Sequence, residues 1–141
     1  MRIEVNGQID MLNAMLGEVR AMLSADDVQR PLLLDIQRFL MLVMSHVATS
    51  DSHGESAQTS QTQYLTSRLE QVIDQAQGSG GLVIPGDTVL SARIHVARTQ
   101  ARTVERRLWS LHRVHPVNAQ VLIFMNRLSD YLYAISFDYL Q

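Results

Sequence analysis

Apolar positions recur along this chain at steps of three and four, and no β-type alternation is sustained over any length. That period belongs to helices with one buried face. From about residue 4 to 23, Leu12, Met15, Leu16, Val19, Met22 and Leu23 share such a face. Asp26-Asp27 and Pro31 separate this helix from a second over 31–48, which carries Ile36, Phe39, Leu40, Val43 and Val47. Pro31 suits a first helical turn, where its missing N–H is no loss. Residues 49–62 are small and polar, which predicts a surface loop. A third helix is expected over 62–77 through Leu65, Leu69, Val72, Ile73 and Ala76, stopped by the glycines between 78 and 81.

The most regular stretch is the fourth, expected over 88–114. Leu90, Ile94, Ala97, Ala101, Val104, Leu108 and Leu111 form a seam of three heptads, which predicts a long helix packed against antiparallel neighbours. Asp87 or Thr88 can cap it, and Pro116 closes it. Asn118 can cap a fifth helix over 118–138 with Val121, Met125, Leu128, Leu132 and Ile135 inward. The expected fold is an all-α five-helix bundle, one domain over residues 1–141.

Composition narrows the function classes. Apolar residues make up 46% of 141 positions, and mean hydropathy is near zero at −0.02, as in globular chains with a real core. No apolar run approaches the roughly 20 residues that span a bilayer, and no signal-peptide pattern opens the chain, so a cytoplasmic protein is expected. Cysteine is absent, which excludes disulfides and thiolate metal sites. A net charge of −2 gives no general attraction to nucleic acid or membranes. Lysine is absent too, and six arginines lie between residues 93 and 113. The guanidinium group, planar and rich in donors, matches phosphate and carboxylate.

One step past each seam position, the flank of the fourth helix reads Ser91, His95, Arg98, Arg102, Glu105, Trp109, His112. Arg98 to Glu105 covers roughly 10 Å at about 1.5 Å per residue, comparable to a triphosphate. Like charges four apart disfavour a helix, so a compensating partner is expected. Two readings stand at this point: arginines solvated or paired with nearby acids, and an anion site. The matching flank of the fifth helix holds Leu122, Asn126, Ser129, Asp130 and Tyr133. Asn126 beside Asp130 fits either a structural network on a half-buried face or a ligand contact. His112 and His115 have the spacing of a ligand pair but no third ligand, and no metal site is expected. The methionines read as core filler.

Several of these residues carry a family likeness. Val83-Ile84-Pro85-Gly86, the spacing of His95, Arg98, Arg102 and Glu105, and Asn126-Arg127-Leu128-Ser129-Asp130 resemble the PduO-type ATP:cob(I)alamin adenosyltransferases. Gly7-Gln8-Ile9-Asp10-Met11-Leu12-Asn13 is similar to that family's Gly-x-x-Asp-Glu-Leu-Asn segment. The resemblance implies a homotrimeric helical bundle with sites at subunit interfaces, taking ATP with Mg²⁺ and cob(I)alamin as substrates. It implies that Arg98 and Arg102 contact phosphates, and that Glu105 and Asn126 position the nucleotide. It pairs Asp10 with Arg98 across the interface and turns Leu82 and Tyr133 toward the corrinoid. The chain departs from the pattern at Thr103, where a further arginine is usual, at Asp87, where glycine is usual, and at Leu82, where phenylalanine is usual. Met1 stands close to the first helix, so the family's Gly-Asp-x-Gly phosphate loop is not expected. A non-catalytic homologue binding corrinoid, nucleotide or a protein partner is the alternative expectation.

Overall fold

The computed structural model describes residues 1–49, 55–76 and 83–141, the side chains of 55–58 excepted. Five α-helices run in chain order: α1 (Arg2–Met22), α2 (Gln29–Thr49), α3 (Glu55–Gln75), α4 (Val89–His112) and α5 (Ala119–Ser136). A short 3₁₀ turn, Phe137–Tyr139, follows. No strand occurs among the described residues, as the period of three and four requires.

The central pair is α4 and α5. Ser91 Oγ donates to the Ser136 carbonyl at 2.9 Å, and Asn126 of α5 reaches Glu105 of α4, so the two helices run antiparallel. Helix α1 lies antiparallel on the other side of α4: Gln100 Nε2 donates to the Gln8 carbonyl at 2.9 Å, and Arg93 pairs with Glu18. Helix α2 covers α1 and meets α5, where the Phe39 and Phe124 rings pack edge-on at 4.6 Å. Helix α3 runs beside α5, joined by Asn118 to Thr59 at 2.9 Å and by Arg127 to Glu70 at 3.5 Å. The α4 seam is inside: Ile94, Ala97, Ala101, Val104 and Leu108 have no exposure. Burying a side chain such as Leu108 contributes on the order of 2 kcal/mol.

Helix ends follow the expected chemistry. Thr88 caps α4, its Oγ1 accepting from the Ser91 N–H at 3.1 Å, and Asn118 caps α5 by accepting from Gln120 at 2.8 Å. Asp27 Oδ1 accepts from the Gln29 N–H at 2.8 Å at the start of α2. Gly86 has φ 127°, a conformation that L side chains rarely adopt, so the turn ahead of α4 requires glycine there.

Two expectations are corrected. The polar stretch read as loop through 62 is helical from Glu55, and residues 50–54 lie outside the described residues. Periodicity missed these turns because residues 55–61 carry no large apolar side chain. The inward positions that follow are polar too, since Thr62 is fully buried and Thr66 is buried with its hydroxyl donating to the Thr62 carbonyl at 2.8 Å. Such back-bonding lets threonine sit inside a helical bundle. Helix α2, moreover, is by length and composition apolar enough to cross a membrane. Its apolar face is spent on the bundle, since Leu32, Leu33, Ile36, Phe39, Leu40, Val43 and Val47 are buried. The glycines between 78 and 81, expected to stop α3, lie outside the described residues.

Candidate functional site

The flanks of α4 and α5 that face one another form the site. Because the helices are antiparallel, Glu105 comes opposite Asn126 while His95 and Arg98 come opposite Tyr133. Asn126 Nδ2 donates to both Glu105 oxygens, at 3.4 Å each. Its Oδ1 accepts from Arg127 Nη1 at 2.9 Å. Arg127 also reaches Asp130 at 3.3 Å and Glu70 at 3.5 Å. The amide is thereby held with its nitrogen toward the carboxylate. Asn126 and Asp130 are exposed, not half-buried as expected, because Leu122 and Ser129 take the inward positions of that turn.

At the other end of the stripe, His95 is buried at 4% exposure. Its Nδ1 accepts from Arg98 Nε at 3.2 Å, which leaves the ring proton on Nε2. Its ring meets Tyr133 edge-on at 6.4 Å, and Tyr133 meets Phe137 edge-on at 5.1 Å. The Arg98 guanidinium lies over the Tyr133 ring, 6.0 Å from its centre. Burial first, and the Arg98 charge second, hold the His95 pKa below its usual value. The imidazole is therefore neutral at pH 7, the form that can accept from Arg98.

Between these ends Arg102 is exposed. Among the described residues it has no hydrogen-bond or ion-pair partner. An unpaired guanidinium one turn from Arg98 and beside Glu105 is the arrangement an oxyanion would complete. Asp10 is exposed on α1, and within one chain Arg98 turns to His95 rather than to Asp10. Leu82 lies outside the described residues. Trp109, half-exposed, packs edge-on against His112 at 5.8 Å. His112 Nδ1 accepts from the Val117 N–H at 2.9 Å, so it serves the α4–α5 turn. No group of three or more His, Asp or Glu side chains suited to a metal occurs among the described residues.

Arg127 was the residue that spacing did not reveal. Adjacent helix positions point about 100° apart, so Asn126 and Arg127 do not share a face; only the length of the arginine lets it fold back onto the amide.

Residues 1–138 match the family model described as cobalamin adenosyltransferase. The chain is 34% identical over 139 residues to the corrinoid adenosyltransferase PduO of Salmonella typhimurium, covering 96% of this chain and 41% of that protein. It is 30% identical over 138 residues to the corrinoid adenosyltransferase of Bacillus subtilis, covering 95% and 72%. Thus the chain spans about two fifths of the Salmonella protein and most of the Bacillus one. Among solved structures it is similar to a phenylalanine-to-histidine variant of the PduO-type ATP:corrinoid adenosyltransferase from Lactobacillus reuteri, complexed with cobalamin and ATP. That likeness has a TM-score of 0.80 at 31% identity, covering 99% of this chain and 78% of that one. An arginine-to-lysine variant from the same organism, complexed with ATP, gives 0.85 at 31% identity, covering 99% and 81%.

Proposed function

Because this chain belongs to the cobalamin adenosyltransferase family, of the PduO type, we propose that it transfers the 5′-deoxyadenosyl group of ATP to cob(I)alamin. In this reaction a bond forms between the 5′ carbon and cobalt, using the electron pair that cobalt(I) carries. The carbon–oxygen bond breaks, and triphosphate leaves with the electron pair of that broken bond. The reduced corrinoid is itself a strong nucleophile, so the protein's work is alignment and charge neutralisation.

The observation that carries this reading is the unpaired Arg102 between two fixed ends, Arg98 on His95 and Glu105 on Asn126. Arg98 and Arg102 receive the triphosphate, and Mg²⁺ travels with it as part of the substrate. Glu105 and Asn126 position the nucleoside. Tyr133 and Leu82 face the corrinoid. The sites lie between subunits of a homotrimer, where Asp10 of one subunit meets Arg98 of the next. The protein acts in the cytoplasm, without nucleic acid or membrane as partner.

The test mixes the protein with ATP, Mg²⁺ and chemically reduced cob(I)alamin and follows loss of the cob(I) absorbance. Adenosylcobalamin formed well above the protein-free rate supports the proposal, and a rate equal to background sinks it.

A further inference from the structure

Arg98 is held at two points, and both leave the same edge of its guanidinium open. Nε is taken by His95 Nδ1 at 3.2 Å. Arg98 Cζ lies over the Tyr133 ring, 6.0 Å from the ring centre. What remains is the outer edge formed by Nη1 and Nη2, the pair that grips an oxyanion in parallel hydrogen bonds.

We propose that His95 is a positioning residue, whose Nδ1 anchors Arg98 through Nε so that the Nη1–Nη2 edge is presented to a phosphate of the nucleotide. The proposal rests on the adenosyltransferase reading for the identity of that phosphate. His95 is placed for this role by packing, not by exposure to ligand. It is 4% exposed and wedged edge-on against Tyr133, which is itself edge-on to Phe137. The ring therefore cannot swing away, and Arg98 does not have to lose rotamer freedom when the anion arrives. The arrangement also maintains itself. A cation at hydrogen-bond distance disfavours a second proton on the ring, which keeps the Nδ1 lone pair available.

Two substitutions separate positioning from simple packing. His95→Asn keeps an acceptor near the Nδ1 position, and His95→Leu removes it while still filling the pocket. In the adenosyltransfer assay, His95→Leu should raise KM for ATP roughly tenfold, equivalent to ~1.4 kcal/mol, with KM for the corrinoid unchanged. His95→Asn should restore most of the loss. Equal KM values for ATP in the wild type and a folded His95→Leu protein would overturn the proposal. So would a loss that His95→Asn does not restore, since that is the signature of packing alone. Size-exclusion mass is measured on both variants; if His95→Leu changes subunit association and leaves ATP binding unchanged, the edge serves the interface contact with Asp10 alone and the phosphate assignment fails.

A second readout does not depend on catalysis. Nitrogen-15 spectra of the full chain should show an unprotonated Nδ1 on His95 and a slowly exchanging Nε–H on Arg98 that His95→Leu makes fast. A protonated Nδ1 rejects the anchor even if the protein is an active enzyme. The anchor present in a protein that neither binds ATP nor turns over would instead reject the adenosyltransferase reading.

Discussion

Asn126 Nδ2 stands 3.4 Å from both oxygens of Glu105, joining α5 to α4 at the centre of the candidate site. Both distances are at the long end for an N–H···O bond, so the contact orients the two groups more than it binds the helices. Asn126→Asp replaces the donor with a second carboxylate facing the first. We expect ATP affinity to fall about tenfold or more, ~1.4 kcal/mol, measured by calorimetric titration. Thermal stability should change by less than about 1 kcal/mol, because Asn126 is exposed and like-charge terms are screened there.

Arg102 makes the opposite case. It makes no hydrogen bond or ion pair among the described residues, and it sits four residues from Arg98 in like charge. Arg102→Ala should leave the unfolding midpoint unchanged or slightly raised, since like charges at that spacing cost a few tenths of a kcal/mol, roughly 0.2–0.5. ATP affinity should fall by about 1.5–3 kcal/mol, the scale of a lost charge-assisted bond. A lower midpoint with unchanged ATP affinity would make Arg102 structural.

How much of this was legible in the sequence depends on what each residue packs against. The α4 seam could be read because Ile94, Ala97, Ala101, Val104 and Leu108 are apolar and inward without exception. The start of α3 could not, because residues 55–61 carry no large apolar side chain and the inward positions that follow are the threonines 62 and 66, of which Thr66 satisfies its hydroxyl on the preceding turn. At the site, the Arg98, Arg102, Glu105 stripe was visible as spacing. The partner of Arg98 was not: a histidine three residues earlier is a common helical neighbour, and only its burial against Tyr133 makes it an anchor.

The state of His95 gives a pH prediction with a defined sign. Burial, then Arg98, lowers its folded pKa below the ordinary 6.5. The unfolded chain therefore binds the proton more readily than the folded one as pH falls below about 6.5. The stability that His95 contributes is present above that value and is lost as pH drops toward its folded pKa. Chemical denaturation at pH 7.5 and at pH 5.5 should show a smaller drop for His95→Asn than for the wild type. An equal drop would mean that other groups dominate the acid response.

Asp138, in the C-terminal 3₁₀ turn, carries the complementary effect. Partial burial first, and Asp27 second, raise its pKa above the carboxylate value of 3.8. The folded state holds its proton more tightly than the unfolded chain, so the charge is a liability once pH rises above 3.8. Asp138→Asn should raise the unfolding midpoint at pH 7 by a small amount and leave it unchanged near pH 3. Asp27→Ala is the informative control, because it also removes the acceptor of the Tyr139 hydroxyl, 3.0 Å from each Asp27 oxygen. That variant should be destabilised at both pH values.

Thr88 links the site helix to the end of the chain, and its hydroxyl serves both. Oγ1 accepts from the Ser91 N–H at 3.1 Å as the cap of α4 and donates to the Tyr139 carbonyl at 2.6 Å. Thr88→Ala removes a cap, worth about 1 kcal/mol, and leaves the Tyr139 carbonyl without that donor, roughly another 1 kcal/mol. At about 4 °C per kcal/mol for a domain near this size, the midpoint should fall by several degrees. Thr88→Ser keeps the hydroxyl and should recover most of it, whereas Thr88→Val keeps the shape and should not. Because Ser91 also donates to the Ser136 carbonyl, the Thr88→Ala loss should be less than additive with Ser91→Ala. Strict additivity of the two would mean that the C-terminal turn and the α4 cap are independent, and that the hydroxyl does not couple them.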